Sequence, residues 1–83
     1  MTGSQTLRES LDRELLELAR LRDEIRLKLH LAGLEAKSAW KSLEPRLDAL
    51  EQEARAEGVV AKDASLALAR DLKQAFSDFR GRL

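Results

Sequence analysis

The stretch from Ile25 to Leu34, IRLKLHLAGL, carries two apolar stripes within one helical pattern. Ile25, Leu29 and Ala32 fall on one face. Leu27, Leu31 and Leu34 fall about 160–200° away, at about 100° per residue. A surface helix needs one apolar stripe to face a core, so two stripes predict packing partners on opposite sides. An 83-residue chain has few elements with which to cover both. Chains of this size are marginal without staples or association, and there is no cysteine to form a disulfide or a thiolate metal site. Oligomerisation is the remaining route.

The rest of the chain fits an all-α fold. Leu, Ala, Glu, Arg and Lys dominate, as in long helices and coiled coils. Residues 1–5 are small and polar and read as a disordered tail, after which residues 6–83 form a single domain. Thr6 and Glu9 have the spacing of a capping box. Apolar spacings of three, four or seven then run from Leu7 to Ala54, predicting a long helix over about residues 6–57. Gly33 costs such a helix about 1 kcal/mol. Pro45 removes one hydrogen bond and predicts a kink, because the apolar spacing continues past it. Gly58 ends the long helix, Asp63 or Ser65 caps the next, and a short helix follows over about residues 61–80. The alternation in Ile25–Leu31 also suits a β-strand, but the preceding ELARLRDE has no turn signal. The expected fold is therefore a long-arm/short-arm helical hairpin with coiled-coil packing.

The arms would be about 75 Å and about 30 Å long. The short one reaches back only to about Ala36, leaving residues 7–35 to seek cover from a second copy. Ala36, Trp40, Leu43, Leu47, Leu50, Leu68, Leu72, Phe76 and Phe79 are the expected hairpin core. Leu11, Leu15, Leu18, Ile25, Leu27, Leu29, Leu31 and Leu34 are the expected oligomer interface. Charge falls in blocks of −2, +3, −3 and +2 over residues 1–19, 20–46, 47–58 and 59–83. An antiparallel homodimer with four-helix-bundle character would lay each acidic N-terminal segment on its mate's basic middle. On this reading Leu18→Glu dissociates the oligomer and Leu68→Glu disrupts the hairpin. A break at Gly33 or Pro45 would instead give a compact three-helix bundle with the second stripe in its core.

No catalytic signature is present. His30, the single histidine, has Arg26, Leu27, Gly33 and Leu34 at the positions where metal ligands would be needed. Acidic pairs such as Asp23–Glu24 and Glu51/Glu53 sit among Arg and Lys, as on solvated helix faces. No serine lies in a nucleophile elbow and no glycine-rich phosphate loop occurs. No enzyme activity, metal or cofactor is expected. The zero net charge argues against general capture by nucleic acid or anionic membrane. The best nucleic-acid alternative is the basic middle, Arg20 to Arg46, with Trp40 for base stacking. A peripheral lipid-binding module is a further alternative, disfavoured because opposed stripes suit burial between helices better than a single lipid-facing side. No run of 18 apolar residues and no secretory leader is seen, so the expected location is cytoplasmic. The function expected is a structural, scaffolding or adaptor module, with itself and other helical proteins as partners.

Overall fold

The computed structural model describes the backbone of residues 3–55 and 59–83 and the side chains of residues 7–55 and 63–83. The chain is all-helical: α1 (Gly3–Leu29), α2 (Leu34–Leu43), α3 (Pro45–Ala54) and α4 (Val59–Gly81). Among the described residues there is no strand. These helices make three arms, because α2 and α3 are halves of one bent middle arm. Glu44 between them keeps helical dihedrals (φ −59°, ψ −42°), and its N–H still donates to the Trp40 carbonyl at 2.8 Å. Pro45 has no N–H for the next bond in the ladder and occupies the first turn of α3, where that loss matters least.

The single long helix over residues 6–57 does not form. It stops at Leu29, and His30–Gly33 turn the chain back. Two tight bonds, Leu31 N–H to the Lys28 carbonyl (3.2 Å) and Ala32 N–H to the Leu29 carbonyl (3.0 Å), close the end. Gly33 then serves as N-cap of α2 in an extended conformation (φ −77°, ψ 174°), open to any residue. The break is therefore favoured by packing more than by local backbone chemistry. It allows the molecule, 48 Å long, to cover its own first-arm leucines. At the N-terminus α1 already includes Gly3–Gln5, so Thr6 lies inside the helix rather than capping it. The expected break at Glu57–Gly58 lies outside the described residues. Asp63 and Ser65 are interior to α4 and cap nothing.

The arms run up, down and up, so α1 and α4 are parallel. Two ion pairs record the register at a constant offset of 56 residues: Glu17–Lys73 at 3.0 Å and Glu24–Arg80 at 3.0 Å. Lys73 also reaches Glu14 at 2.6 Å. Hydrogen bonding to Glu14 and then to Glu17 raises the Lys73 pKa above its ordinary 10.5. A raised lysine contributes its full stabilisation below 10.5 and loses it as pH climbs through the folded value. The urea-midpoint gap between wild type and Lys73→Met should thus stay constant through neutral pH and shrink only above pH 10.5. A gap that closed near neutrality would place the stabilisation elsewhere.

The core is the α1 stripe Leu11, Leu18, Leu21, Ile25 and Leu29 against Leu66, Ala69, Leu72, Phe76 and Phe79 of α4. Trp40, Leu47 and Leu50 of the middle arm close it. The α4 phase differs from expectation at its first half. Leu68 is 53% exposed, and Ser65, Leu66 and Ala69 are buried instead. Both phases share Leu72, and the small Ala69, with no exposed surface, suits the close packing of α4 in the bundle.

Candidate functional site

Leu27, Leu31 and Leu34 are left outside this core. They are 72%, 95% and 84% exposed, and all lie at the end of the bundle where α1 turns into α2. Leu27 sits two residues after buried Ile25 and two before buried Leu29, so it points away from the core. Leu31 is on the turn itself, and Leu34 opens α2 about 120° around the helix from buried Trp40. A shallow hollow beside them, lined by Leu31, Ala32, Ala36, Arg82 and Leu83, brings the end of α4 to the same tip. The second stripe is therefore not core, as a three-helix bundle was expected to make it. The chain turns before a partner could lie along it.

Of the other expected interface residues, Leu11, Leu18, Ile25 and Leu29 are buried within the chain, and Leu15 is half-buried. Their premise, that residues 7–35 lack an internal partner, is overturned by α4 lying along α1. In the expected hairpin core, Trp40, Leu47, Leu50, Leu72, Phe76 and Phe79 are buried and brought together. Ala36 and Leu43 are half-buried, and Leu68 is the exposed exception. Trp40 stands between two phenylalanines, with ring centroids 4.9 Å from Phe76 and 5.5 Å from Phe79. It cannot stack on a base. The turn also divides the basic middle between α1 and the middle arm, where Arg26 is held by Glu44. His30 is exposed on the turn. Among the described residues no three His, Asp or Glu side chains gather as a metal site, and no helix is long and apolar enough to cross a membrane.

A second surface was missed from the sequence. It is the seam between the middle arm and α4. One wall carries Ala39, Ser42, Leu43, Arg46, Ala49, Leu50 and Glu53; the other carries Leu68, Asp71, Leu72, Ala75, Asp78, Phe79 and Arg82. Both walls keep spacings of three and four, the signal that could have found them. Arg46 lines one hollow with Asp71 and the next with Asp78 but makes no ion pair with either. No family model matches the chain, and no curated protein or solved structure shows a significant match to it.

Proposed function

We propose that this chain is a non-enzymatic scaffolding or adaptor module that self-associates through the seam between the middle arm and α4. The observation that carries the reading is the seam itself: a shallow apolar floor with exposed Leu68, bordered by charges of both signs without ion-pair partners among the described residues. Two copies face to face would form a four-helix core with coiled-coil-like packing. A two-fold axis parallel to the bundle sets each middle arm against its mate's α4, so neighbouring helices stay antiparallel. The same axis keeps Arg46 at a height between its mate's Asp71 and Asp78. An antiparallel pair would instead set α4 on α4 and bring acidic rims together, which costs affinity. This parallel pairing replaces the antiparallel dimer expected for the longer helix, whose rationale ended with that helix.

Sedimentation equilibrium tests it. Wild type should form a concentration-dependent dimer, and Leu68→Asp should shift it to monomer by about tenfold or more in dissociation constant, with helicity unchanged. A wild-type monomer at all concentrations, or a Leu68→Asp dimer of undiminished affinity, would refute the seam as the interface.

A further inference from the structure

We infer that the leucine tip docks on an anionic phospholipid surface, inserting end-on. The tip joins two properties that a lipid surface matches together. Its leucines point outward from α1, from the turn and from α2, around one end of a rod rather than along one side. A flat protein partner would cover one of those directions, whereas a bilayer interface surrounds an inserted end on all of them. Around the leucines lie Arg26, Lys28, Lys37, Arg80 and Arg82; Arg26 is paired with Glu44 and Arg80 with Glu24, so that counting these two acids and Glu35 leaves the tip a net charge of +2. The opposite end differs in sign: residues 7–13, 47–55 and 63–69 carry a net −3. The zero total thus conceals a rod with one basic end, and the basic end is the one with exposed leucines.

That pairing is the chemistry of interfacial docking. Apolar side chains enter the boundary between headgroups and acyl chains, while cations remain at the phosphates. The opposed stripes that argued against lipid do so only on a continuous helix lying flat. On a tip where the helix ends at Leu29, opposed leucines enter together. Two like-charged tips facing each other would repel, so a second copy bound tip-to-tip is the poorer occupant. Docking needs only one copy. In the parallel dimer proposed above, both tips would face one surface and add avidity.

Flotation with vesicles provides the test, using equal parts phosphatidylcholine and phosphatidylglycerol beside phosphatidylcholine alone. Wild type should float with the anionic vesicles, weaken as salt is raised, and stay behind with the neutral ones. Leu31→Asp and Leu34→Asp should each weaken binding by about tenfold. Leu16→Asp, an equally apolar substitution site midway along α1 and 58% exposed, should bind as wild type does. Circular dichroism confirms that each variant is folded. Absence of wild-type flotation on anionic vesicles overturns the inference. So does equal loss with Leu16→Asp. Binding that depends on Lys28 and Lys37 but not on the leucines also overturns it, since that is adhesion without insertion. A leucine substitution that alters mass in solution while wild type ignores vesicles would make the tip a protein interface instead. Loss of the dimer in Leu68→Asp with flotation retained would leave this inference standing and separate it from the seam.

Discussion

Leu18→Glu leaves the chain unfolded at room temperature. Leu18 has no exposed surface and sits midway along α1, on the stripe that α4 and the middle arm enclose. The substitution removes a buried leucine, which costs about 2–5 kcal/mol. It also places a carboxylate where no cation is paired, adding a desolvation penalty of several kcal/mol or forcing the group to stay protonated. A domain of this length has about 4–12 kcal/mol of stability in total, so the loss is comparable to the whole. Far-UV circular dichroism should show most of the helix gone, and Trp40 emission should move to the red as its cluster opens. Leu31→Glu is the matched control. Its site is almost fully exposed, and its cost should be within about 0.5 kcal/mol. A folded Leu18→Glu of altered mass would mean that this face belongs to an intermolecular seam, with α1 and α4 apart.

That contrast shows what was legible. The apolar spacing of Leu11, Leu18, Ile25 and Leu29 identified one face correctly because helical geometry alone places those residues together. What covers that face is a tertiary matter. The decision turns on His30–Gly33, where the only local breaker is one glycine, and that glycine adopts ordinary extended dihedrals. Nothing there forbids a continuing helix. Turning back is favoured because it buries the α1 stripe against α4, at the expense of leaving Leu27, Leu31 and Leu34 in water. Pro45 was the opposite case: its missing donor and fixed ring mark a bend wherever the arm lies.

The first half of α4 was ambiguous for a different reason. In ASLALAR, both Leu66 and Leu68 fit a helical stripe that leads to Leu72. Only packing separates them, by favouring the phase that turns Ala69 inward. The seam and tip were hidden in the same way. Asp71, Asp78 and Arg46 read as ordinary solvated charges until the arms bring them to the border of one apolar floor.

Trp40→Ala should cost about 3–5 kcal/mol, the second-largest single-residue effect. Trp40 is the largest side chain of the middle arm and almost fully buried, tilted at 58° against Phe76 and stacked at 24° on Phe79. Those are all the aromatic residues in the chain, so deleting Trp40 removes both aromatic pairs, each worth about 0.5–1.5 kcal/mol beyond burial. It also opens a cavity beside Phe76 and Phe79, in the half of the bundle that carries the tip leucines. Trp40→Phe separates packing from polarity. The indole Nε1 is buried and has no hydrogen-bond partner among the described residues, which itself costs about 1–3 kcal/mol. Phenylalanine keeps an aromatic ring in the cluster and abolishes that donor, so part of the lost volume is offset. Urea unfolding followed by circular dichroism should therefore rank wild type and Trp40→Phe close together, with Trp40→Ala far below. If Phe proved as damaging as Ala, the indole would be held by its N–H rather than by its ring. If both were mild, the middle arm would not be anchored through this cluster, and the tip would not be held as a fixed end of the bundle.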